Sequence, residues 1–285
     1  MSRTRVAYVA KMKWLDRVSS IVKTVGAPIA GESAPVTLKD ALNGVWLGHP
    51  LHPLVVAVPI GAWTSAAIFD VLGEDRSADC AVQIGIAGAV ASAITGLAQY
   101  ADATTDEKPR RVGALHAALN TLALSCYATS AVLRSTGRRG VGRAFSMTGL
   151  GFVAAGGLLG GDLAYTLGIG VDHTAFEPVP EKWTNAVPDA ELPEGKPMRI
   201  EIEGAPVMLV RQNGTIYATS ATCTHLSGPL DEGEYDQQSC TVTCPWHASV
   251  FDVRNGAVIH GPATAPLPVY ETRLEGGNIK IRVKQ

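Results

Sequence analysis

Cys223-Thr-His225 and Cys244-Pro-Trp-His247 are the two stretches on which the reading of this chain turns. Each is a tight Cys–His pair, and together they offer two thiolates and two imidazoles to one small site. That donor set suits a [2Fe–2S] cluster in which the cysteines hold one iron and the histidines the other. Imidazole is a neutral ligand where thiolate is anionic. Such a cluster carries less negative charge than an all-cysteine one and is reduced at a higher potential, in a range of about −150 to +300 mV. Cys2His2 zinc sites use the same ligand types. Zinc fingers, however, commonly put two cysteines in one arm and two histidines in the other, and each arm here is mixed.

Around these arms the sequence reads Cys223-Thr-His-Leu-Ser-Gly-Pro-Leu230, Cys244-Pro-Trp-His-Ala-Ser249 and Gly261-Pro-Ala-Thr-Ala-Pro-Leu-Pro268. In these runs the chain closely resembles Rieske ferredoxins and the Rieske domains of electron-transfer complexes. The resemblance implies Cys223, His225, Cys244 and His247 as the cluster ligands. High-potential members of that family place a cysteine in each cluster loop and join the two by a disulfide. Ser227 or its neighbours and Trp246 stand there in this sequence, so no bridge is implied. The same members donate hydroxyl hydrogen bonds to cluster sulfur from a Ser and a Tyr just beyond the last ligand. Ser249 matches the first and Phe251 replaces the second, which implies a potential towards the ferredoxin-like end. Rieske oxygenases share the motif but add a large domain with a 2-His-1-carboxylate iron site. Only 38 residues follow His247, and the upstream half reads as membrane, so an oxygenase is not expected.

Residues 198–285 read as a small antiparallel all-β domain. Met198–Glu203 alternates; Val207–Arg211 and Ile216–Thr219 flank Asn213-Gly214, a strong hairpin signal. A second Asn-Gly at 255–256 joins Val250–Val253 to Ala257–Ile259, and Val269–Leu274 and Ile279–Val283 flank a turn at Glu275–Asn278. Ahead of this domain, residues 168–197 are rich in Pro, Gly, Glu and Asp. Such a segment is expected to be an extended linker, with His173 an ordinary surface residue.

Residues 45–167 read as an all-α, four-helix transmembrane domain. The apolar stretches Pro53–Leu72, Cys80–Tyr100, Val112–Leu133 and Ala144–Leu167 are each close to the ~20 residues that cross a hydrocarbon core. They are rich in Gly, Ala, Ser and Thr, which lets helices approach closely in lipid. Residues 1–44 alternate basic positions (Lys11, Lys13, Arg17, Lys23) with apolar ones (Val9, Met12, Leu15, Val18, Val22), as an amphipathic helix on a membrane surface does. The run Gly48-His49-Pro50-Leu51-His52-Pro53 opens the first span. Residues 45–170 resemble a family of small four-span bacterial membrane proteins that share this His-Pro-Leu-His-Pro motif and whose role is poorly defined.

His49, His52 and His116 fall at similar depth, together with Asp102 and Asp162, and Asn120 shares a face with His116. Ionisable groups at membrane depth are costly and usually functional. Three uses are open: axial ligation of haem b by His116 with His52 or His49, a His/carboxylate metal site, and a quinone pocket. The bland alternative is histidines at the wet interface.

A net charge of −2 argues against a nucleic-acid partner. Cys80, Cys126 and Cys240 lie outside the arms, an odd number without framework spacing, so no disulfide scaffold is expected. The basic N-terminal tail, with a cluster that needs no disulfide, leans both termini and the Rieske domain towards the cytoplasmic side of the cell membrane. The expected function is a membrane-anchored one-electron carrier serving a redox protein partner, a reductase or an oxidase. The alternative is a redox sensor or assembly factor that uses the cluster as a signal.

Overall fold

The structure is a computed structural model; it describes residues 2–31, 33–102 and 106–284, the side chain of Asp102 excepted. Asp102, which the sequence sets beside the histidines, therefore has no described contacts. The chain separates into two compact units, residues 1–42 with 50–169, and residues 43–49 with 170–285.

The second unit is all-β. It holds β1 (Thr184–Pro188), β2 (Met198–Ile202), β3 (Ala205–Gln212), β4 (Thr215–Ser220), β5 (Glu234–Asp236), β6 (Thr241–Thr243), β7 (Val250–Asp252), β8 (Val258–His260), β9 (Val269–Glu275) and β10 (Asn278–Val283). A six-stranded sheet has the order β1-β10-β9-β4-β3-β2, and a four-stranded sheet runs β5-β6-β7-β8. Asn213 and Gly214 both have positive φ (52° and 75°), the conformation a two-residue hairpin needs between β3 and β4. One face of the large sheet buries Val207, Leu209, Ala218, Tyr270, Ile279 and Ile281. Met208 and Val210, one residue out of step on β3, face the other way, into a core with Val242, Phe251 and Val253. That second core also contains Cys223 and Cys244.

The expected linker is shorter than its composition suggests. Within 168–197, β1 pairs antiparallel with β10. Pro180 O accepts from Val283 N, and Glu177 accepts from Ser220 Oγ at 2.8 Å. Pro188 can sit on β1 because that strand is at the sheet edge, where a missing N–H costs no ladder bond.

The first unit is all-α: α1 (Ser2–Val9), α2 (Leu15–Ala30), α3 (Val36–Asn43), α4 (Leu51–Val55), α5 (Ala57–Leu72), α6 (Asp75–Asp102), α7 (Glu107–Ser135) and α8 (Arg139–Tyr165). The second and third apolar stretches lie within α6 and α7, the fourth runs two residues past the end of α8, and the first is divided between α4 and α5. The break at Val56 has a cause in Pro59, which cannot donate to the Val55 carbonyl. Among the described residues three helices, Leu51–Leu72, Asp75–Ala101 and Arg139–Tyr165, are long and apolar enough to cross a membrane. α7 has the length, but His116 and Asn120 interrupt its apolar run. α5 packs mainly on α6, and α7 on α8. At the centre Trp63 and Tyr127 stack at 4.0 Å. A Cβ at Gly85 would lie 2.2 Å from Trp63, and one at Gly149 2.8 Å from Tyr127, so small residues admit the aromatic pair.

Charges tie both ends of this unit. Arg134, with 2% of its side chain exposed, bonds Asp70 and Asp79; Arg139 and Arg143 reach Asp79, Asp75 and Asp70. Asp162 is held by Arg5 and Ser2, and Asp16 by Arg110 and Arg111. The N-terminal segment packs on the bundle at Val6, Val9 and Leu15, against Val112, Ala114 and Leu159. Ile21 and Val25 of α2 remain exposed. Removing Arg134 strands a buried carboxylate: Arg134→Met is expected to destabilise the bundle by about 3–5 kcal/mol. Arg134→Met with Asp70→Leu should cost less than Arg134→Met alone, as read by thermal unfolding of the full chain in detergent.

Candidate metal centre

The two Cys–His arms fold into the same local shape. In the first, Cys223 N donates to Gly228 O at 2.8 Å and Ser227 N to Cys223 O at 3.0 Å; in the second, Cys244 N donates to Ser249 O at 2.8 Å and Ala248 N to Cys244 O at 3.1 Å. Ser227 (φ 62°) and Ala248 (φ 59°) occupy matching left-handed positions. Each arm is thus a closed turn that aims its cysteine inward. Gly228 is required beside them, because a Cβ there would meet Cys244 Sγ at 2.7 Å.

Like donors from different arms come together. The Cys223 and Cys244 thiols are within hydrogen-bonding reach of each other, and the rings of His225 and His247 lie 5.0 Å apart at 87°. With metal–nitrogen bonds of about 2.0–2.1 Å, that separation suits two imidazoles on one tetrahedral metal. Cys244 is lowered to about 6, chiefly because Cys223 donates to its sulfur, while Cys223 is raised by the same contact and by burial. Burial, then the neighbouring His247 and His173, pushes His225 down to about 3, and burial lowers His247 as well. Both rings are thus neutral near pH 7, the protonation state that binds metal.

His225 Nδ1 and His247 Nε2 are buried and have no hydrogen-bond partner. Buried nitrogens without partners are rare and demand an explanation; a metal bound between the rings supplies one. The donor set, the unsatisfied nitrogens and the glycine-lined approach to Cys244 all fit a [2Fe–2S] group. All five cysteines are free, in line with the absence of a bridge between the arms.

Ser249 is fully buried, and its Oγ accepts from Ala263 N at 3.0 Å. Its own hydroxyl hydrogen is left to donate elsewhere. Phe251 is buried in the adjoining core and offers no hydroxyl. Thr224 Oγ1 donates to Ala265 O at 2.8 Å, which ties the first arm to the Gly261–Pro268 stretch.

His173 is not the ordinary surface residue that the sequence suggests. Its N–H donates to Thr224 O at 3.0 Å, and its Nδ1 lies 3.1 Å from Ser227 Oγ. Its position fifty residues before the arms, in a Pro/Gly-rich stretch, gave no signal of this contact.

In the helical unit His52 and His116 come together, with ring centroids 6.3 Å apart at 79°. His49 is exposed and belongs to the other unit. His52 Nδ1 bonds Ser92 O at 2.9 Å, and His116 Nδ1 bonds Gly156 O at 2.8 Å. A carbonyl only accepts, so Nδ1 carries the hydrogen in both rings and Nε2 keeps a lone pair. Asn120 Nδ2 lies 3.1 Å from Nε2 of His116. Asp162 is engaged by Arg5.

A family model described as a Rieske [2Fe-2S] domain matches residues 182–271, and one described as a predicted membrane protein, DUF2231, matches residues 48–173. The chain is 34% identical over 101 residues to the ferredoxin component of a naphthalene 1,2-dioxygenase system from Pseudomonas aeruginosa, across 35% of this chain and 95% of that protein. It is 39% identical over 96 residues to the 3-phenylpropionate/cinnamic acid dioxygenase ferredoxin subunit of Escherichia coli K12, across 34% of this chain and 89% of that one. The solved ferredoxin of carbazole 1,9a-dioxygenase from Nocardioides aromaticivorans IC177 matches at 31% identity and a TM-score of 0.35, over 36% of this chain and 100% of that one. With a Rieske domain at 182–271 behind a DUF2231 domain at 48–173, the chain belongs to the Rieske [2Fe–2S] family.

Proposed function

We propose that this protein is a membrane-anchored carrier of single electrons, with Cys223, His225, Cys244 and His247 holding its [2Fe–2S] cluster. The observation that supports this most is the pair of buried, partnerless nitrogens on His225 and His247 beside two thiols within hydrogen-bonding reach of each other. The cluster, when bound, takes up and returns one electron. The chain's own residues keep the rings neutral, bury the sulfurs and fix both arms by backbone hydrogen bonds. The relatives are named as ferredoxin components of dioxygenase systems, and the partner we infer is accordingly a redox protein, an oxygenase or its reductase. Four spans, with α7 as the fourth, set both ends of the helical domain on one side. The basic N-terminal tail and the free cysteines favour the cytoplasmic face for the cluster.

The same reading assigns the His52–His116 pair to haem b in preference to a quinone. Nε2 of His52 is left as an acceptor, whereas a quinone carbonyl needs a donor; Nε2 of His116 faces Asn120 Nδ2 at 3.1 Å, which a metal bound there would displace. His52 and His116, whose ring centroids lie 6.3 Å apart, would be the residues that hold the group, which would supply one-electron chemistry within the helical unit.

The full chain is expected in the membrane fraction, carrying two irons and two sulfides, with a midpoint below about +200 mV, under the upper end of the Rieske range. Cys244→Ser should abolish the cluster signal; zinc in place of iron, or a chain soluble without detergent, would refute the carrier. Ser249→Ala should lower the midpoint in a redox titration, because it removes a buried hydroxyl of the second arm whose hydrogen is free to donate, and an unchanged or raised value rules that role out. For the second group, a Soret band should be present in the wild type and lost in both His52→Ala and His116→Ala; its absence from haem-supplied protein disproves haem while leaving the carrier intact.

A further inference from the structure

The first arm contains a strained position. Ser227 holds φ at 62°, a left-handed conformation that non-glycine residues adopt at a cost and keep only when their surroundings over-determine it. Ala248 carries the same strain in the second arm, and there the next residue, Ser249, is fixed by Ala263 N. Ser227 meets a different part of the chain. Its hydroxyl meets His173 Nδ1 at 3.1 Å instead, and the His173 N–H reaches Thr224 O at 3.0 Å.

His173 is itself set firmly. Asp172 Oδ1 accepts from both the N–H and the Oγ1 of Thr174 at 2.8 Å, closing a turn around it. Thr174 is buried, and Glu177 is anchored on Ser220. The backbone that presents the imidazole to Ser227 is therefore bound to the β unit on its C-terminal side.

We propose that His173 is a positioning residue of the metal centre. Its two hydrogen bonds, one from the backbone and one from the ring, hold Thr224 and Ser227 on either side of His225. They keep the first arm in its ligating shape without a covalent link. The inference rests on the reading of Cys223 and His225 as cluster ligands, and it concerns how that arm is held, not what it binds.

The test uses the full chain, purified in detergent with its cluster, in four variants: His173→Ala, His173→Asn, Ser227→Ala and the double His173→Ala/Ser227→Ala. Asn can place a side-chain nitrogen near the position of the imidazole Nδ1. The first readout is the rate of cluster bleaching under excess chelator. Loss of one hydrogen bond of about 1 kcal/mol predicts roughly a five-fold faster loss in His173→Ala. Ser227→Ala should match it, the double variant should be no faster than either single, since they share one bond, and His173→Asn should restore the wild-type rate. The second readout is the midpoint potential together with the g-values of the reduced cluster. His173→Ala and Ser227→Ala should shift both in the same direction, and His173→Asn should return them.

Wild-type bleaching and g-values in His173→Ala, or additive effects in the double variant, would overturn the proposal. So would an Asn variant that behaves as Ala does. If the wild type holds zinc, the carrier reading fails first, and the variants then separate by zinc-release rate, on which the same five-fold expectation stands or falls; a wild type that holds no metal overturns both.

Discussion

Burying two thiols and two imidazoles is costly unless something binds the atoms they turn inward, and the β unit is built around that requirement. Its second core encloses Cys223 and Cys244 among Val242, Phe251 and Ala263, where water cannot satisfy them. The backbone of each arm closes a turn and also turns N–H groups towards its cysteine sulfur, those of His225 and Leu226 to Cys223 and those of Trp246 and His247 to Cys244. His225 Nδ1 and His247 Nε2 are left without partners. Filling the site would satisfy these atoms, and binding would then add to the stability of the arms.

The helical unit obeys the same rule with a different solution. Its buried ions are paired within the chain: Arg134 with Asp70 at one end, Arg5 with Asp162 at the other. Breaking such a pair leaves an uncompensated charge, which is why single replacements there are costly while paired ones need not be. His52 and His116 stand apart from these ion pairs. Their Nδ1 hydrogens are committed to the backbone carbonyls of Ser92 and Gly156, which fixes the rings. That arrangement is how proteins usually orient metal-binding imidazoles.

Sequence reading succeeded where chemistry is local and failed where it is not. The Asn213-Gly214 turn follows from residues that tolerate positive φ, and the flanking strands followed from alternation. The four apolar stretches forecast the long helices, although α6 and α7 extend beyond them into charged residues at Asp75 and Glu107. β5 and β6 were missed because three-residue strands in a polar region carry too little pattern. β1 was missed because prolines at 178, 180, 188 and 193 imitate a linker, whereas its place at a sheet edge makes Pro188 harmless. The arms were legible from the Cys–His spacing and flanking motifs. The His173–Ser227 bond was not, because it joins residues far apart in sequence through side chains whose types are common everywhere.

The shortened linker changes how the carrier can work. Thirty residues of extended chain would give a reach on the order of 100 Å at about 3.3–3.6 Å each, enough for the cluster unit to travel between distant partners. Instead, Ile169 N is still bonded to Leu163 O, and His173 N is already bonded to Thr224 O. Three residues lie between these anchors, a span on the order of 10 Å. What spans these two anchors is therefore a short connection and not the thirty-residue extended chain that the composition suggests, because hydrogen bonds reach into the Pro/Gly-rich stretch from both ends.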